Sequence, residues 1–139
     1  MGIIERKERE KEQRRNDILD AAEKVFFKLG FENATMDDVA EMAELSKGTI
    51  YLYYSSKEDL YYAISIRALK VLRQSFELNV PADAPVLDKI IAIGKSFIQF
   101  SRENADYFKT LVYFSSLPDC HEVHERYAKL CEEQADPMS

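Results

Sequence analysis

Apolar side chains recur along this chain at helical spacing. Ile18, Ala22, Val25, Phe26 and Leu29 fall at i, i+4, i+7, i+8 and i+11, one face of an amphipathic helix. The pattern stops at Gly30, which suits the position just past a helix end. Thr35 can cap a second helix, with Asp38 three residues on, and Met36, Val39, Ala40 and Ala43 form its apolar face. A short third segment covers residues 46–54. Ser56 with Asp59 then opens a fourth helix that carries Leu60, Ile64, Leu72 and Phe76 towards Asn79. After Pro81 and Pro85 the pattern predicts helices over 86–103 and 105–115. Leu117-Pro118 breaks it, and a last helix is expected over 119–134. No strand-like alternation and no internal repeat appears, so the fold class is all-α.

The break at Ala43-Glu44-Leu45-Ser46 has the length of a helix-turn-helix. Ala40 stands where the two helices would cross. Val39, Ala43, Leu45 and Ile50 can close a small core against the first helix. The segment LSKGTIYLYYSSKEDL is unusual beside its neighbours, because glycine, threonine, isoleucine and tyrosine are middling or poor helix formers. Gly48 alone costs about 1 kcal/mol against alanine. On a wheel of about 100° per residue, Ile50 and Tyr54 face inward with Tyr53 beside them. Gly48 and Leu52 face outward, flanked by Thr49 and Tyr51, with Lys47 at the start of the helix and Lys57 just beyond its end.

A face that is small, apolar and hydroxylic suits docking into a groove better than solvation. Gly48 allows close backbone approach, Thr49 can hydrogen-bond a base edge or a phosphate, and Leu52 can meet a thymine methyl in the major groove. Lys47, Tyr51, Tyr53 and Lys57 reach towards phosphates, and the helix starts at Thr35 and Ser46 offer backbone N–H donors. The same Tyr51/Leu52 patch also suits a partner helix. An all-helical protein-interaction module without DNA binding therefore stands as the alternative.

Charge and composition narrow the field. The 139 residues are 46% hydrophobic and 12% aromatic, as a globular chain requires, with a net charge of −6. Lys7, Arg9, Lys11, Arg14 and Arg15 crowd the first fifteen residues, but glutamates alternate with them. At helical spacing these glutamates supply partners such as Glu10 for Arg14, giving a solvated face, while a DNA-backbone role for the arginines stays open. No apolar run approaches the roughly 18 residues of a membrane span, and the N-terminus is too charged for a secretory signal. A cytoplasmic, soluble location is expected. Cys120, His124 and Cys131 share a helical face, but Cys120 and Cys131 lie about 16 Å apart along a straight helix, too far for one coordination sphere. No metal, no cofactor and no enzymatic activity is expected, since no phosphate loop or nucleophile–base arrangement is present. Phe97, Phe100 and Phe108, among the aromatics of the second half, can line a cavity for an apolar or aromatic small-molecule effector.

From about Arg14 to Tyr62 the chain closely resembles the DNA-binding domain of TetR-type (tetracycline-repressor-like) transcriptional regulators. The resemblance is carried by ILDAAEKVFFKLGFENATMDDVAEMAELSKGTIYLYYSSKEDL. It implies a homodimeric, ligand-responsive repressor that binds double-stranded operator DNA through a three-helix head, linked by a long fourth helix to a helical body. It also implies DNA-contact roles for Thr35, Ser46, Lys47, Gly48, Thr49, Tyr51, Leu52, Tyr53 and Lys57. The expected organisation is a charged extension over 1–11, the DNA-binding domain over 12–72 and the first part of an effector-binding and dimerisation body over 73–139. Glu44 stands where many members have glycine. A non-glycine residue in the left-handed region costs roughly 1–2 kcal/mol, so the turn is expected to avoid that conformation.

Overall fold

The charged N-terminal stretch is continuous with the first amphipathic helix. In the computed structural model, which describes residues 2–116 together with 125 and 129, α1 spans Ile3–Leu29. Its first part is held by helix propensity and by neighbouring charges rather than by burial, since Arg, Glu, Lys and Gln are all good helix formers. Arg6 pairs with Glu10 at 3.3 Å, Lys11 with Glu8 at 3.9 Å and Arg15 with Glu12 at 3.1 Å. Glu10 thus takes Arg6 rather than Arg14. The helix ends at Gly30, whose φ of 80° and ψ of 159° lie in a region essentially closed to other residues, and whose N–H donates to the Phe26 carbonyl at 2.8 Å.

Within residues 2–116 α1 is followed by α2 (Met36–Ala43), α3 (Lys47–Tyr53), α4 (Lys57–Asn79), α5 (Val86–Glu103) and α6 (Ala105–Ser115). No strand occurs among the described residues. The start of α2 is a capping box. The Asp38 N–H donates to the Thr35 hydroxyl at 3.1 Å, and the Thr35 N–H donates to the Asp38 carboxylate at 3.0 Å. At α4 the Asp59 N–H donates to the Ser56 hydroxyl at 3.2 Å.

The chain divides into two compact units, residues 1–64 and 65–139. In the first, α1 packs on α2 and α2 on α3. Ile18, Ala22, Val39, Ile50, Leu60 and Ile64 are fully buried there, and Ala40 at the helix crossing is nearly so. Each large aliphatic among them contributes about 1.5–3 kcal/mol by leaving water. Phe26, Phe31 and Tyr61 close one end of this core, with ring centroids 4.8–6.0 Å apart.

In the second unit α5 packs on α6, and Phe100, Phe114 and Thr110 are buried. The Ser75 and Ser96 hydroxyls share a hydrogen bond of 2.8 Å, which satisfies a buried serine. The opposite side of α5 leaves Leu87, Ile90, Ile91, Phe97 and Ile98 exposed. The helix expected over 119–134, with Cys120, His121, His124 and Cys131, lies outside the described residues. Among the described residues no helix is long and apolar enough to cross a membrane.

Candidate nucleic-acid interface

The α2–α3 turn decides how the third helix is presented. Glu44 sits at φ 56° and ψ 40°, in the left-handed region, so the expectation that the turn avoids this conformation is overturned. Two backbone hydrogen bonds explain why. The Leu45 N–H donates to the Ala40 carbonyl at 3.0 Å, and the Glu44 N–H donates to the Glu41 carbonyl at 3.1 Å. This is the Schellman closure, which satisfies two end carbonyls of α2 only if the intervening residue is left-handed. The cost at a non-glycine residue, roughly 1–2 kcal/mol, is offset by carbonyls that would otherwise lack partners.

Ser46 then caps α3. Its hydroxyl accepts from the Thr49 N–H at 3.2 Å and shares a hydrogen bond with the Thr49 hydroxyl at 2.8 Å. Ile50 is fully buried and Tyr54 nearly so, and the Tyr54 hydroxyl reaches the Arg15 carbonyl at 3.4 Å. These anchors fix the rotation of α3. Gly48 and Leu52 consequently lie on the outside, Leu52 at 83% exposure, with Tyr51 half-exposed and Thr49 partly so. A β-carbon built on Gly48 meets nothing within 4 Å. The fold therefore has no need of glycine there, because neither a positive φ nor a tight packing contact demands it.

The basic residues are placed less simply than the wheel suggests. Lys47 is half-exposed and pairs with Asp37 in the first turn of α2 at 3.2 Å, which ties the starts of α2 and α3 together. Lys57 turns back onto the loop after α1. Its ammonium donates to the Phe31 carbonyl at 2.7 Å and lies 4.4 Å from the centroid of the Phe31 ring. One of its three N–H donors is thereby taken, and the others remain for an anion. Tyr53 is only partly exposed. The Thr35 hydroxyl is occupied by its capping box, and Asp37 and Asp38 in the same turn oppose an approaching phosphate.

Ser46, Lys47, Gly48, Thr49, Tyr51 and Leu52 thus share one continuous surface, whereas Tyr53 and Lys57 stand at its margin and Thr35 is engaged in its own cap. The sequence reading did not anticipate Phe31 and Asp37 as the partners of Lys57 and Lys47, because neither pairing follows a helical spacing. In the second unit, Phe97 and Phe108 meet edge to face with centroids 5.8 Å apart. Phe97 remains 41% exposed while Phe100 is buried. Of the three aromatics expected to meet an effector, Phe100 is a core residue as it stands.

Residues 18–64 match the family described as "Bacterial regulatory proteins, tetR family". The chain is 35% identical over 89 residues to the uncharacterized HTH-type transcriptional regulator YhgD of Bacillus subtilis, a match covering 64% of this chain and 47% of YhgD. It is 34% identical over 62 residues to the HTH-type transcriptional regulator TtgR of Pseudomonas putida, covering 45% of this chain and 30% of TtgR. Both matches span less than half the length of these relatives. Among solved structures, the TetR family regulator PfmR of Thermus thermophilus superposes with a TM-score of 0.57 at 31% identity, covering 72% of this chain and 55% of PfmR.

Proposed function

In its residues 18–64 the chain belongs to the tetR family of bacterial regulatory proteins, and from that premise we propose that it is a sequence-specific DNA-binding regulator of transcription. In this reading α3 enters the major groove, with Leu52 and Thr49 at base edges and Gly48 letting the backbone approach. Lys47, Tyr51, Tyr53 and the free donors of Lys57 hold phosphates and set register rather than sequence. The observation that carries the reading is Gly48. It is exposed, helical and free of any contact that excludes a β-carbon, so the reason for a poor helix former there lies outside the chain.

The chain acts as a homodimer that presents two such helices to successive major grooves, about 34–36 Å apart. A small apolar or aromatic effector bound by the second unit, beside Phe97 and Phe108, relieves repression. A tenfold change in DNA affinity needs only about 1.4 kcal/mol of coupling. Its location is cytoplasmic, with the DNA it reads.

The test is fluorescence anisotropy on a duplex taken from beside the chain's own gene, at two salt concentrations. Binding that weakens steeply with salt is expected, through release of counterions from the phosphates. Leu52→Ala should relax the preference at one base pair by roughly 1 kcal/mol or more while leaving binding to random DNA nearly unchanged. No binding, or binding indifferent to salt, would instead support a protein-interaction role for the Tyr51/Leu52 patch.

A further inference from the structure

The first four turns of α1 bury nothing, and the distribution of their charges around the axis is uneven. At about 100° per residue, Arg14, Lys7, Lys11 and Arg15 follow one another across about a 100° arc that contains no acid. Glu8, Glu12 and Glu5 lie beyond one edge of this arc and Glu10 beyond the other. The ion pairs agree with this division. Lys11 and Arg15, towards one side, pair with Glu8 and Glu12, and Glu10 pairs with Arg6 outside the arc. Among the described residues, neither Lys7 nor Arg14 makes an ion pair. In a chain with a net charge of −6, the charges on this face are all basic, with Ile4 exposed among them.

The same arc, followed towards the C-terminus, carries Ile18, Ala22 and Val25, all buried. The basic face is thus the outward continuation of the side of α1 that packs into the head. Its root is marked by the Tyr54 hydroxyl on the Arg15 carbonyl, and Tyr54 is the residue that ends α3. The root of the arm is thereby joined to the end of the helix whose other side is exposed. Lys7 and Arg14 stand about 10 Å apart along the axis, near three phosphate repeats of a strand.

We propose that the N-terminal arm of α1 is a second, sequence-independent DNA-binding surface, in which Lys7 and Arg14, flanked by Lys11 and Arg15, hold the phosphate backbone beside the groove that α3 reads. The inference rests on the DNA-binding reading given above. It extends the interface to residues outside the family match and makes α1 a positioning element as well as a core helix.

Two charge-matched variants of the full chain test it on a random-sequence duplex titrated across a salt series. Lys7→Ala with Arg14→Ala removes two cations from the basic face, and Arg6→Ala with Arg9→Ala removes two from the rest of the same helix. Alanine keeps the helix, and equal far-UV circular dichroism checks this. The first pair should shallow the slope of log affinity against log salt by about two, at roughly 0.9 per phosphate contact. The second pair should leave the slope near the wild-type value. Equal slopes for both variants would reduce the arm to a solvated helix with only a diffuse effect of charge, and would overturn the inference while leaving the role of α3 intact. A wild-type chain that binds no duplex would overturn the DNA-binding reading, and the inference with it.

Discussion

Gly48 and Glu44 stand four residues apart with opposite mismatches between residue type and backbone. Gly48 occupies an ordinary helical position that any residue would fill, and Glu44 occupies a left-handed position that glycine would fill better. Gly48→Ala should therefore raise stability by up to about 1 kcal/mol in urea denaturation. The same variant should weaken DNA binding, because the new methyl group stands where the groove must come close. A variant that is both more stable and an equal binder would remove the argument for Gly48 as a contact residue. Glu44→Gly removes the left-handed penalty of roughly 1–2 kcal/mol but adds freedom to the unfolded chain, so a net gain of about 0.5–1 kcal/mol is expected. The urea midpoint should rise with an unchanged denaturant slope. A midpoint that stays put or falls would mean that the Glu44 side chain contributes something the backbone geometry does not reveal.

At the scale of elements, α3 has seven residues, far below the length at which a helix holds itself in water. Its stability comes from the Ser46 cap, the buried Ile50 and the Tyr54 anchor on α1. Ser46→Ala is expected to cost about 1 kcal/mol, and amide exchange should show protection lost first in α3 while α1 stays protected. Uniform loss along the chain would argue that α3 does not open separately from the rest of the head. The element boundaries were legible in the sequence where local chemistry sets them. The helices over 86–103 and 105–115 begin and end as expected, and the caps at Thr35 and Ser56 form the hydrogen bonds that their spacing predicts. The charged extension was harder to place, because a helix held by exposed ion pairs carries no apolar stripe to announce it.

For the molecule as a whole, the second unit presents a contrast with the first. Leu87, Ile90, Ile91, Phe97 and Ile98 on α5 are between 41% and 68% exposed. A continuous apolar face of this kind marks a surface that associates. Sedimentation velocity should show the apparent mass rising with protein concentration. Ile90→Lys with Ile98→Lys should lower that mass while leaving the far-UV spectrum unchanged. A wild-type chain that stays monomeric throughout the concentration range would remove this face from the proposed dimer.

The features determined by sequence alone are those whose causes lie within a few residues of one another. A cap needs only a hydroxyl and an amide three positions on, and the outward turn of Gly48 and Leu52 follows from the rotation per residue once Ile50 and Tyr54 are taken as buried. The tertiary structure decided what depends on residues remote in the chain. Glu44 is left-handed because the last carbonyls of α2 and the first residue after the turn must close on each other. Lys57 turns to Phe31, 26 residues away, and Tyr54 to Arg15, 39 residues away. No periodicity links such pairs. Only when the helices pack does each polar group find the partner that its burial requires, and those partners set how Lys57 is turned and how α3 is anchored on α1.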